Sequence, residues 1–254
     1  MKIKRRQSKI LEIIRKKERV AVEELAHLLD ISKETIRRDL TDLANLDKIK
    51  KIHGGATLPR VFGEGSFQHR MGENATNKAA IGHAAAKLFQ TGETLFIDTG
   101  STTHYFAQEL AEISGLTIVT NSTWIARTVA STNNNNQVFL LGGEFSSDNS
   151  QTVGAMVTSQ IRSFRAHHAV LTIGALDWRT GAMDYDIEEA QIARAMIEQS
   201  QSVTVLMDSS KFNKLASFEV CSLEKINRII CDSIPPNELN EALIAANVEI
   251  IIAK

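Results

Sequence analysis

The stretch from Ser32 to Arg38 sets Lys33, Glu34, Thr35, Arg37 and Arg38 within seven residues, with only Ile36 apolar among them. On a helix, Ile36, Leu40 and Leu43 fall at i, i+4 and i+7 and form one buried stripe, leaving Lys33, Glu34, Arg37, Arg38 and Thr41 on the opposite face. Such a face can read a duplex: Arg or Lys pairs with guanine and Glu accepts from cytosine, while further cations hold phosphates. Lys33, Glu34 and Arg37 are the expected base readers. Arg38 and Lys9 are the expected phosphate contacts, and Ser32 is placed to cap the helix through its hydroxyl.

A second group of reactive side chains lies at the ends of short apolar runs. Leu95-Phe96-Ile97 leads into Asp98-Thr99-Gly100-Ser101-Thr102-Thr103. Small polar residues opening a helix converge backbone N–H groups and the positive helix end on one point, which suits an anion. Plain N-capping by Ser101 or Thr102 accounts for the same residues. Thr120-Asn121-Ser122, Gly142-Gly143-Glu144 and Asp208-Ser209-Ser210-Lys211 close three further apolar runs, and together these ends predict a pocket. Asp184 is placed to cap a helix starting near Ile187. The two cysteines, Cys221 and Cys231, are too few for a disulfide framework, and the seven histidines are scattered, so neither a metal nor a cofactor is expected.

The elements needed to position the first group can be read around it. Ile10, Leu11, Ile13 and Ile14 form one face of an amphipathic helix, and Leu25, Leu28 and Leu29 form that of a second, with a brief turn before Ser32. This is a helix-turn-helix. After it, β-branched residues interleave with Lys48, Lys50 and Lys51 and lead through His53 to Gly54-Gly55, predicting a hairpin wing whose Lys50, Lys51 and His53 lie against DNA. Charge agrees: residues 1–60 carry 16 Lys and Arg against 9 Asp and Glu, a net of +7, and residues 61–254 carry 13 against 21, a net of −8. A basic module joined to an acidic one points to a polyanion for the first alone.

Residues 1–58 are therefore expected as the DNA-binding domain, 59–77 as a linker broken by Pro59, Gly63, Gly65 and Gly72, and 78–254 as a larger domain. In the larger part helical patterns alternate with short β-rich runs, which predicts an α/β fold around a largely parallel sheet. No apolar run approaches the roughly 20 residues of a membrane span, and the basic N-terminus leads into an amphipathic segment rather than a signal core, so a cytoplasmic location is expected.

The run Ser32-Lys33-Glu34-Thr35-Ile36-Arg37-Arg38-Asp39-Leu40, its distance from Arg6, Ile10 and Ile14, and the His53-Gly54-Gly55-Ala56 wing resemble the DNA-binding signature of the DeoR family of bacterial regulators. Phe96-Ile97-Asp98-Thr99-Gly100-Ser101-Thr102-Thr103, Thr120-Asn121-Ser122, Leu141-Gly142-Gly143-Glu144 and Asp208-Ser209-Ser210-Lys211-Phe212 resemble the effector domain of the same family, in the same order. The resemblance implies a winged helix-turn-helix joined to an α/β domain like ribose-5-phosphate isomerase and related sugar-phosphate enzymes. It also implies a phosphorylated sugar or polyol as effector: Thr99 to Thr103 would cradle the phosphate, Asn121 and Ser122 would support it, and Asp98, Asp184 and Lys211 would meet hydroxyls or the phosphate. The expected function is a non-enzymatic transcriptional repressor of a carbohydrate operon. It would bind double-stranded operator DNA as a homodimer or homotetramer. Two alternatives stay open: an activator with the same DNA-binding module, and a sugar-phosphate isomerase or deaminase drawing on Asp98, Asp177, Asp184, Glu188 and Lys211.

Overall fold

A computed structural model describes residues 3–17, 19–45, 48–52, 54–57 and 65–254. The chain forms two compact units, Met1–Gly65 and Ser66–Lys254. In the first, α1 (Ile3–Lys17), β1 (Arg19–Ala21), α2 (Val22–Leu29) and α3 (Lys33–Asn45) precede the hairpin β2 (Lys50–Ile52) and β3 (Gly55–Thr57). The expected helical stripes meet in one core, with Ile10, Ile14, Leu25, Ile36, Leu40 and Leu43 all buried. Asp30 ends α2 in the left-handed conformation at φ 52°, turning the chain toward α3.

Val20 and its neighbours form a strand that pairs antiparallel with β3, so the wing sheet has the order β1-β3-β2. The two glycines of the hairpin have different reasons. Gly54 sits at φ 74°, a left-handed turn conformation, whereas a side chain on Gly55 would meet the Val20 carbonyl oxygen at 2.3 Å. Gly55 is what lets β3 approach β1.

The second unit opens with α4 (Phe67–Gly72) and α5 (Ala75–Ala86), then β4 (Thr94–Ile97), α6 (Ser101–Leu110), β5 (Thr117–Thr120), α7 (Thr123–Ala130) and β6 (Gln137–Leu140). A small hairpin, β7 (Glu144–Ser146) and β8 (Gln151–Val153), leads to α8 (Ala155–Ile161), β9 (Ala166–Leu171), β10 (Ala175–Asp177), β11 (Gly181–Asp184) and α9 (Ile187–Glu198). β12 (Ser200–Leu206), β13 (Phe218–Cys221), β14 (Arg228–Cys231), α10 (Asn237–Ala245) and β15 (Glu249–Ile252) complete it. Helix α4 and the start of α5 fall inside the stretch 59–77 expected as linker. Its glycines masked a short helix that Ser66 caps by accepting from the His69 N–H.

Seven strands form a parallel sheet in the order β15-β14-β12-β9-β4-β5-β6. Alternation along β4 sends Leu95 and Ile97 into a core with Ile81, Phe106, Leu110 and Ile125 from α5, α6 and α7. It sends Phe96 into the opposite core, with Val157, Met196 and Leu243 from α8, α9 and α10. Helices on both faces explain why the strands read as short continuous apolar runs. Strands β10, β11 and β13 make a separate three-stranded sheet. Among the described residues no helix is long and apolar enough to cross a membrane.

Candidate functional site

On α3, Ser32 performs the expected cap: its Oγ accepts from the Thr35 N–H at 3.3 Å and lies 2.9 Å from the Thr35 hydroxyl. Lys33, Glu34, Arg37 and Arg38 are exposed, as is Lys9 on α1. Two of these side chains make exposed ion pairs, Lys33 with Glu23 at 2.9 Å and Arg37 with Glu34 at 3.3 Å. Such solvent-screened pairs contribute little and open readily to a phosphate or base edge. Lys51 on β2 donates to the Thr41 hydroxyl at 3.0 Å, tying wing to helix. The side chain of Lys50, and His53 altogether, lie outside the described residues.

The residue that sequence reading left without a role is Asp39. It is buried in the middle of an otherwise polar helix face and receives a two-pronged bond from Arg6: Nε to Oδ2, and Nη2 to Oδ1 at 2.9 Å. The carboxylate raises the Arg6 pKa further through that bond. This pair fastens α1 to α3 and sets how the exposed face is presented.

In the second unit, parallel pairing brings the carboxyl ends of β4, β5, β9 and β12 to one edge. The chain runs outward from β4 through β5 to β6, then returns to place β9 on β4's other side. The gap between β4 and β9 is thus the point where sheet order reverses, where open α/β sheets leave a crevice. Asp98, just past β4, spans it: both carboxylate oxygens accept from the Thr172 N–H, at 3.0 and 2.9 Å. Burial pushes the Asp98 pKa well above the usual carboxylate range, and the nearby charges of Asp184 and Glu189 push the same way against the Thr172 bonds. Gly100 is packed so closely on Thr172 that a Cβ would lie 2.1 Å from its Oγ1.

Behind this bridge, Gly100 opens α6 without any side-chain cap. Capping by Ser101 or Thr102 is therefore not what these residues do. The Thr103 hydroxyl donates back to the carbonyls of Asp98 and Gly100 at 3.0 and 3.1 Å. The N–H groups of Ser101, Thr102 and Thr103 occupy the first turn, where no intrahelical acceptor exists. Thr99 donates to Asn121 Oδ1 at 3.3 Å, and Asn121 Nδ2 in turn donates to Gln151 Oε1 and the Thr152 carbonyl.

Other expected members sit differently. Ser122 caps α7 by accepting from the Ile125 N–H. Both backbone groups of Gly142 are engaged by the Gln160 side chain, at 3.1 and 2.8 Å. Gly143 is needed for packing, since a Cβ there would come within 2.6 Å of the Val153 carbonyl oxygen. Asp184 is buried and accepts from the Tyr185 N–H at 2.6 Å, while Asp186, not Asp184, caps α9. Lys211 ends a single 3-10 turn beside Asp208. Burial alone would raise the Asp208 pKa, but hydrogen bonds from Ser210 and the charges of Lys78 and Lys211 outweigh it and leave the carboxyl below its ordinary range. Lys78 itself is buried, 4.0 Å from Asp208, and donates to the Arg70 carbonyl at 2.5 Å.

Gln151 and Thr172, which were not expected near these residues, bond directly to Asn121 and Asp98, and the charge of Glu189 reaches Asp98. The only signal for Gln151 was a polar run, Asn149-Ser150-Gln151-Thr152, which reads as loop.

Residues 6–61 match the DeoR-like helix-turn-helix domain and residues 73–233 the DeoR C terminal sensor domain. The chain is similar along almost its whole length to three curated proteins. The HTH-type transcriptional repressor CsqR of Escherichia coli K12 is 30% identical, covering 97% of this chain and 94% of that protein. The glycerol-3-phosphate regulon repressor of the same strain is 31% identical, covering 98% and 99%. The L-fucose operon activator of Haemophilus influenzae is 32% identical, covering 91% and 93%. The matched domains are a DNA-binding module and a sensor, which decides between regulator and enzyme. With both halves matched in order, the chain belongs to the DeoR family of DNA-binding transcriptional regulators.

Proposed function

We propose that this regulator is a repressor of a carbohydrate-metabolism operon, held on its operator in the absence of effector and released by a phosphorylated sugar or polyol. The observation that carries the reading is the α6 N-terminus at the sheet's reversal point. The N–H groups of Ser101, Thr102 and Thr103 lie in the uncapped first turn of α6, next to the bridge from Asp98 to Thr172 and the bond from Thr99 to Asn121. Backbone donors suit the phosphate, and carboxylates and amides suit hydroxyls. The repressors of Escherichia coli among the relatives support the sign of regulation, and the phosphorylated polyol in one of their names supports the effector class.

Lys33, Glu34 and Arg37 read base edges in the major groove. Lys9, Ser32, Thr35, Arg38, Lys50, Lys51 and His53 hold the backbone. The protein acts in the cytoplasm as a homodimer or homotetramer, because one small module grips little of the duplex and two on paired half-sites multiply affinity. Effector favours release to the extent that it binds the low-affinity conformation better. An activator with the same modules is the second reading, favoured by the L-fucose operon activator among the relatives.

The test is anisotropy of the full-length protein on DNA from its own gene neighbourhood, with a panel of sugar and polyol phosphates. Ser101→Asp puts a like charge in the cradle and is expected to bind DNA normally while ignoring every compound that releases the wild type. Normal release by the variant would move the site elsewhere.

A further inference from the structure

A run of side-chain hydrogen bonds leads from the candidate phosphate loop to the first helix of the sensor unit. Thr99 donates to Asn121 at 3.3 Å, Asn121 to Gln151 at 3.2 Å, and Gln151 to Glu189 Oε1 at 2.6 Å. From the other side, Arg70 on α4 donates to Asn149 Oδ1 at 3.0 Å, and Asn149 Nδ2 donates to the same Glu189 oxygen. Asn121 and Gln151 are almost wholly buried.

Two properties make this run more than packing. Every amide in it uses its oxygen toward one neighbour and its nitrogen toward the next, so none can turn without breaking bonds on both sides. The two arms also have opposite sense and converge on one carboxylate oxygen. An anion at the α6 N-terminus accepts the Thr99 hydroxyl proton that now points at Asn121, which leaves a buried acceptor unpaired and costs free energy until the amides rearrange. The rearrangement has somewhere to go. Helix α4 is held by the Arg70–Asn149 bond, by Tyr105 donating to the Met71 carbonyl at 3.0 Å and by Lys78 donating to the Arg70 carbonyl. Phe67 stands ten positions after Thr57, the last residue of the wing.

We infer that this run is the route by which an occupied Thr99 loop acts on α4, with Asn149, Gln151 and Glu189 as positioning residues that carry the response without setting effector affinity. The inference rests on the reading of Thr99–Thr103 as the anion site. It adds to that reading the residues that convert occupancy into release.

Asn149→Ala is the first variant, because Asn149 is only partly buried and its loss cuts the run next to Arg70. Full-length wild type and variant are titrated onto operator DNA with glycerol 3-phosphate, ribose 5-phosphate, fructose 1-phosphate and inorganic phosphate, and binding of each compound is measured separately by calorimetry. The variant binds operator as the wild type does and binds the releasing compound within about threefold, yet the ratio of operator Kd with and without it falls at least about tenfold. Glu189→Gln, which keeps an acceptor oxygen, retains more of the response than Glu189→Leu. Unchanged release in Asn149→Ala overturns the inference.

A second measurement needs no effector. Amide exchange over residues 67–72 is followed in Thr99→Val, Asn149→Ala and the double variant. If the run couples the two ends, Thr99→Val loosens α4 and adds nothing once Asn149 is gone; strictly additive effects, or none from Thr99→Val, overturn it. Loss of coupling in Asn149→Ala together with normal release in Ser101→Asp would reject the phosphate site and leave the route standing, so the two readings fail separately.

Discussion

Asp98 shows how a single side chain can bridge two strands and resist ionisation at once. Its bonds to Thr172 tie the ends of two neighbouring strands, and burial raises its pKa, which disfavours a negative charge beside the place proposed for a phosphate. A carboxyl whose folded pKa is raised binds its proton more tightly folded than unfolded. Its stabilising contribution is complete below the ordinary carboxylate value and is lost as pH rises through the raised one. Asp98→Asn keeps an acceptor for Thr172 and cannot ionise. Urea unfolding from about pH 4 to about pH 8 is therefore expected to show the wild type losing stability relative to the variant as pH increases. A pH-independent difference would mean that Asp98 ionises as freely folded as unfolded. On α3, Arg37→Ala is expected to cost roughly 1–3 kcal/mol of specific operator binding with little change on random duplex. An equal loss on both DNAs would reassign Arg37 to the phosphates.

At the scale of elements, the Arg6–Asp39 pair fixes the angle between α1 and the reading helix. Asp39→Ala leaves an arginine half-stranded against the core, and thermal or urea unfolding of the N-terminal transition is expected to fall by about 3 kcal/mol. Stability unchanged within about 0.5 kcal/mol would show the pair to be incidental. The helices of this first unit were legible in the sequence because Ile10, Ile14, Leu25, Ile36 and Leu40 repeat at helical spacing and their partners lie nearby in the chain. The parallel sheet was legible because helices cover both its faces and leave short apolar runs in its central strands, such as Leu95–Ile97 and Ala169–Leu171. Short elements were not: α4 is six residues interrupted by polar side chains, and β7, β8, β10 and β11 have three or four residues each. The loop Asp98–Thr103 and Asn121 were legible as polar strand ends. Glu189 and Gln151 were not, because their bond joins positions 38 apart and neither residue type stands out in its own segment.

For the whole molecule, the governing feature is the division of charge, +7 over residues 1–60 against −8 over the rest. The acidic unit is repelled by the duplex that the basic unit seeks, so DNA affinity resides in the small module and falls steeply with salt. Lys51→Ala is expected to weaken binding to all sequences alike and to flatten the slope of log K against log salt by about 0.9 for each phosphate left unneutralised per chain. A loss confined to the operator, with the slope intact, would place Lys51 on bases instead. The wing's construction carries a further consequence. Since β3 lies between β1 and β2, and Gly55 presses against Val20, the hairpin takes its angle from a strand that precedes both helices of the motif. Anyone grafting a new sequence preference onto this scaffold could exchange residues on the outer face of α3 singly, but could not transplant the wing without β1. The smallest portable cassette is the whole of 3–57, and hybrid regulators spliced between α2 and α3 should assemble poorly.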